Sequence, residues 1–159
     1  MSRKITGKDS YDIGVISDTH GRLLPSVYMV FDNMDLIIHA GDIDTKEVLE
    51  KLQSIAPVVA VRGNMDFNLG KESLRGTETI EIGETVIHVS HMVGSVPASA
   101  RVHVVIYGHT HRPSIEKQNG VLFLNPGSAG QRRHDNPLSV AILHIRGNEQ
   151  YAEIIELEE

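Results

Sequence analysis

Residues 13–20 read I-G-V-I-S-D-T-H: a short apolar run, then at once two side chains of metal-ligand type, Asp18 and His20. The same order recurs four times downstream. L-I-I-H-A (36–40) runs into Gly41-Asp42, and V-V-A-V-R (58–62) into Gly63-Asn64. V-I-H-V-S (86–90) is followed by His91, and V-V-I-Y (104–107) by Gly108-His109-Thr110-His111. Short β-branched runs bounded by glycine or polar residues predict buried strands. In an open α/β sheet, ligands bind outside the carboxyl ends of the strands. Asp18, His20, Asp42, Asn64, His91, His109 and His111 are therefore expected to converge, and their chemistry points to a two-metal hydrolytic site.

Outward from 13–20, Leu24, Val27 and Phe31 recur at helical spacing, with Pro25 near the helix start. A second helix is predicted after 36–40. Asp44 and Glu47 flank its start as a capping box, Val48, Leu49, Leu52 and Ile55 form its apolar face, and Pro57 ends it. This β-α-β-α-β order predicts parallel strands with right-handed crossovers. The second half reads as hairpins: 79–82 with 86–89 around Gly83-Glu84, 114–117 with 121–125 around Asn119-Gly120, and 139–145 with 151–157 through Gly147-Asn148. The expected fold is an α/β sandwich of two mixed sheets with helices outside, in one domain over 1–159. Residues 1–10 read as a flexible N-terminal segment, and Glu156-Leu157-Glu158-Glu159 as a solvated strand end.

The chain of 159 residues suits one sizeable core. It holds no cysteine, which rules out disulfides, thiolate metal sites and cysteine nucleophiles, and makes a cytoplasmic location the expectation. No run of 18 apolar residues suggests a membrane span, and the N-terminus lacks the apolar stretch of a secretory signal. A net charge of −6 argues against general nucleic-acid binding. A small anionic substrate stays compatible, because metal ions supply positive charge locally.

Asp18 and His20 stand two apart, as do His109 and His111, so in extended chain each pair points one way. Each pair could hold one metal or divide between two. Gly41 and Gly63 allow tight turns beside Asp42 and Asn64. Imidazole and oxygen ligands without sulfur suit Mn²⁺, Fe²⁺, Co²⁺ or Zn²⁺. Arg62, Arg112, Arg132 and Arg133 lie near the motifs and could grip a phosphate, Arg112 and Arg132 being the substrate-binding candidates. Asp66 is a catalytic candidate. His39 either packs at a strand end or bonds to a ligand carboxylate. His88 and His144 read as strand residues, and Asn125 and Ser128 of N-P-G-S (125–128) as a turn bracing the site. The segment 63–72 has the glycines and lysine of a phosphate-binding loop at the wrong spacing.

Together, D-T-H (18–20), G-D (41–42), G-N (63–64), His91, G-H-T-H (108–111) and N-P-G-S resemble the calcineurin-like metallophosphoesterases, from about Tyr11 to the C-terminus. The chain is most similar to the small stand-alone phosphodiesterases of bacteria and archaea, relatives of the retromer's phosphoesterase-like subunit. The resemblance implies a four-layer α/β/β/α sandwich. It implies one metal held by Asp18, His20, Asp42 and His111, and another by Asp42, Asn64, His91 and His109, with Asp42 bridging. Manganese is the leading ion, with Fe, Co, Zn and Ni admissible, and a metal-bridging hydroxide would attack phosphorus in line. The expected substrate is a small phosphodiester, and a homo-oligomer stays open. A phosphomonoesterase or nucleotidase, and a non-catalytic interaction scaffold on the same fold, are the alternatives. Three features depart from the family pattern. Met65 stands where many members carry a proton-donating histidine, Met92 where glycine is usual, and only seventeen residues, 92–108, separate His91 from His109.

Overall fold

The structure, a computed structural model, describes residues 2–63, 74–94, 101–132 and 136–159. One sheet carries the reading from 13–20. β2 (Ser10–Ile16), β3 (Leu36–His39) and β4 (Val58–Ala60) lie parallel, and β10 (Ser139–Arg146) joins β2 antiparallel, followed by β11 (Glu149–Glu156). The second sheet orders its strands β1 (Ser2–Ile5), β5 (Thr77–Ile82), β6 (Thr85–Ser90), β7 (Val104–Ile106), β9 (Val121–Asn125), β8 (Ser114–Gln118). β6, β7 and β9 are parallel to one another. Three strands of the first sheet and three of the second thus end on one rim.

Alternation along the strands builds two cores. Tyr11, Ile13 and Val15 face the second sheet, where Ile80, Ile82, Ile87 and Val89 meet them, all buried. Ile16, Ile37 and Val140 face the other way, under α1 (Pro25–Val30) and α2 (Lys46–Gln53), which bury Val27, Val48 and Leu52. Pro25 sits in the first turn of α1, where its missing N–H is no loss. Phe31 lies flat on β2, and a Cβ at Gly14 would stand 2.9 Å from its ring. Among the described residues no helix is long and apolar enough to cross a membrane.

All three hairpins form as expected. Asn119 and Gly120 both take positive φ (51° and 81°), as a tight two-residue turn requires.

Three expectations change. Residues 2–5, read as part of a flexible segment, pair in parallel with β5, and Ile5 packs on the core; four residues rich in charge carry too little periodicity to show this. The C-terminal tail is tied down: Leu157 is buried, and Glu159 meets Arg22 and Arg132. Asp44 does not cap α2, whose N-cap is Thr45, without a side-chain cap bond. The two mixed sheets with helices outside form as expected, and among the described residues both helices stand on the five-stranded sheet. A second helical layer would draw on the 92–108 connection, of which 95–100 lie outside the described residues.

Candidate metal centre

Left-handed backbone marks the site. Among the described residues eight non-glycine residues have positive φ, and six of them are Asp18 (55°), His20 (48°), Asp42 (58°), Asp44 (72°), His109 (70°) and His111 (62°). Such conformations cost of order 1–3 kcal/mol each and persist only where surroundings enforce them. The expected extended geometry of D-T-H and H-T-H is therefore replaced by two left-handed residues flanking a threonine.

Backbone hydrogen bonds enforce it. Asp18 N–H donates to the Gly41 carbonyl (2.9 Å), and His20 N–H to that of Asp42 (3.0 Å), stitching the loop after β2 to the loop after β3. Ala129 N–H donates to Ser17 and Gly108 N–H to His91, bringing in the other motifs. Ser128 Oγ donates to the Asp18 carbonyl (3.1 Å), while Asn125 Nδ2 donates to the Gly108 carbonyl and Thr110 Oγ1, so N-P-G-S braces both motifs. His39 packs fully buried, accepting from Gly41 N–H at Nδ1 and meeting Thr19 Oγ1 at Nε2. It steadies the loops that carry Thr19 and Gly41.

The side chains fall into two groups, Asp18–His20–His111 and Asp42–His91–His109, each with ligand atoms within 4.8 Å of one another. Asp18 Oδ2 accepts from Ser17 Oγ (2.7 Å) and His109 N–H (3.1 Å), leaving Oδ1 3.2 Å from His111 Nε2 and 3.8 Å from His20 Nε2. His20 directs Nδ1 to Asp44 Oδ2 (3.2 Å), and His91 directs Nδ1 to the Ala40 carbonyl (2.8 Å). Each ring so held carries its proton on Nδ1 and presents the Nε2 lone pair inward. Burial pushes the Asp18 carboxyl up, but His111, Ser17 and the nearby His91 more than reverse this, holding it below the usual carboxylate range. Burial works against charge on His91, yet Asp42, the Ala40 carbonyl and Asp18 outweigh it and raise its pKa.

Asp18 Oδ1, His20 Nε2, His91 Nε2 and His111 Nδ1 are buried without a hydrogen-bond partner. Native proteins rarely leave such atoms bare unless an ion or water serves them. Two carboxylates and four imidazoles, with no sulfur, fit divalent transition ions. Asn64, Met65, Asp66, Arg133 and His134 lie outside the described residues. Arg112 is exposed beside His111, whereas Arg132 donates to Glu159 (Nε to Oε2, 2.9 Å), so it would have to exchange that carboxylate for a phosphate. Met92 is 51% exposed and lines a cavity with His91, at the mouth of the site.

A model of the calcineurin-like phosphoesterase superfamily domain matches residues 11–148. The chain belongs to that superfamily. A probable metallophosphoesterase of Methanocaldococcus jannaschii is 43% identical over 133 residues, 73% of this chain and 67% of that protein. An archaeal phosphodiesterase of known structure superposes with a TM-score of 0.72 at 26% identity, over 91% of this chain and 99% of its own. The vacuolar protein sorting 29 protein of Cryptosporidium parvum reaches a TM-score of 0.81 over 96% and 94% of the two chains; at 23% identity it shares the fold alone. Membership places this chain in a metal-dependent phosphoesterase family, and among the described residues two groups could hold metal.

Sequence reasoning missed Ser17 and misread Asp44. Asp44 lies two residues after Asp42, and that D-x-D spacing was the available signal. Asp44→Asn, which tolerates the left-handed backbone, is expected to weaken metal binding by roughly tenfold by loosening the His20 ring. Competition titration against a chelator reads this directly; unchanged affinity would show that Asp44 does not set the ring.

Proposed function

We propose that this phosphoesterase hydrolyses small phosphodiesters with two divalent ions, manganese first among them. The observation that carries this is the place of Asp42. Its Oδ2 stands 3.2 Å from His91 Nε2 and 3.8 Å from His20 Nε2, between one ligand of each group. Asp18, His20, Asp42 and His111 would hold one ion, and Asp42, His91 and His109, with Asn64, the other. Bound there, the ions supply Lewis acidity that polarises a phosphoryl oxygen and turns water into a nucleophile near neutral pH. Burial of Asp18, Asp42, His91 and His111 keeps competing water away and strengthens every charge interaction at the centre. Arg112, exposed beside His111, would meet phosphate oxygens from solvent.

The test is hydrolysis of bis(4-nitrophenyl) phosphate by metal-stripped protein before and after Mn²⁺. Activity should return with metal. The melting temperature should rise by ~5–10 °C at a hundredfold excess of free ion over Kd, since binding only the folded state adds about 2.7 kcal/mol. A folded protein inert with Mn, Fe, Co, Zn and Ni alike would sink the enzymatic reading and leave the scaffold.

A further inference from the structure

We infer that the cavity beside His91 receives one ester substituent of the substrate, and that this substituent is a hydroxylated group of the glycerol or sugar kind. The inference rests on the phosphodiesterase reading above. The cavity measures about 390 Å³, at the small end of ligand sites, and opens where the loop after β4 meets the C-terminal end of β6. Gly63 backs it against the metal centre, since a Cβ there would lie 2.3 Å from Asp42 Oδ1. A phosphate on the ions would thus project a substituent into this space.

Its walls are polar. Thr77 and Ser90 are cross-strand partners, and His88 shares their face two residues before Ser90. Ser90 Oγ donates to the Met92 carbonyl (2.8 Å), which leaves its lone pairs to accept from a ligand hydroxyl. His88 is 5% exposed and lines the cavity, yet no described residue hydrogen-bonds its ring; burial alone acts on it and lowers its pKa. A neutral imidazole offers one donor and one acceptor, the pairing a vicinal hydroxyl can satisfy. Arg62 supplies a guanidinium over Gly76 for a further oxygen or charge. Donors and acceptors on these described walls favour a hydroxylated substituent.

The experiment compares Mn²⁺-restored hydrolysis of glyceryl 4-nitrophenyl phosphate and bis(4-nitrophenyl) phosphate. His88→Leu should raise KM for the glyceryl diester by roughly tenfold, one lost hydrogen bond, with kcat and the other substrate nearly unchanged. His88→Gln, which keeps a donor and an acceptor, should recover most of the loss. Arg62→Ala, at an exposed position, should raise KM for the glyceryl diester without touching the fold. Independently of turnover, the His88 imidazole signals of zinc-loaded protein should shift with glycerol 3-phosphate and not with inorganic phosphate. Absence of any metal-dependent hydrolysis would sink the phosphodiesterase reading itself. Intact hydrolysis with an unmoved KM ratio and unshifted His88 signals would overturn the pocket assignment alone. A larger His88→Leu effect on a nucleoside diester than on the glyceryl one would overturn the polyol.

Discussion

Asp42→Ala should lower metal-dependent diester hydrolysis by about 10³-fold or more while the protein stays folded. Several kcal/mol of charge stabilisation stand behind that factor, at 1.36 kcal/mol per tenfold in rate. Asp42 is 5% exposed and offers one oxygen to both histidine groups, so its loss weakens two ion positions at once. Metal-free stability should change little. The variant carries the strain of alanine at φ 58°, roughly 1–2 kcal/mol, but sheds a carboxylate crowded beside that of Asp18. Its melting temperature should therefore no longer respond to Mn²⁺. Metal content after dialysis and initial rates check both halves, and full activity in the variant would refute the shared role of Asp42.

Gly130→Ala should cost about 3 kcal/mol or more and lower the melting temperature by ~6–12 °C. Gly130 is not in the left-handed region, so the argument is purely steric. A Cβ there would stand 1.8 Å from the Thr19 carbonyl oxygen, 2.5 Å from its carbon and 2.8 Å from its Cα. All three are backbone atoms, so no side chain can swing aside. Either the turn after N-P-G-S or the D-T-H loop must move, and Gly130 N–H would lose its bond to the Asp18 carbonyl (3.2 Å). Metal affinity should fall along with stability. Chemical denaturation and a metal titration measure the two effects; a variant of wild-type stability would mean the loops approach less closely than this.

Much of this was legible in one dimension. Runs such as I-G-V-I-S and V-V-A-V-R fix strands because a strand buried on both faces needs uninterrupted apolar residues. Asn119-Gly120 fixes its turn because few residue pairs accept positive φ twice. The motif residues could be enumerated because strand ends carry ligands in such sheets. Other features had no local signature. The four-residue strand β1 exists only because β5 offers an open edge, and Leu157 is buried only because the first sheet lies beneath it.

By itself, then, the sequence determined the order of strands and hairpins from β2 onward, the family, and six of the side chains that gather on one rim, since each follows from spacing, turn chemistry or motif. Tertiary structure alone decided how they gather. Hydrogen bonds between loops more than twenty residues apart hold Asp18, His20 and Asp42 in left-handed backbone, and His91 turns inward because the Ala40 carbonyl, 51 positions away, accepts a hydrogen bond from its Nδ1–H. Asp44 reads as a helix cap until the fold sets His20 against it. Ring orientation and backbone strain depend on contacts between distant segments, and no local pattern encodes them.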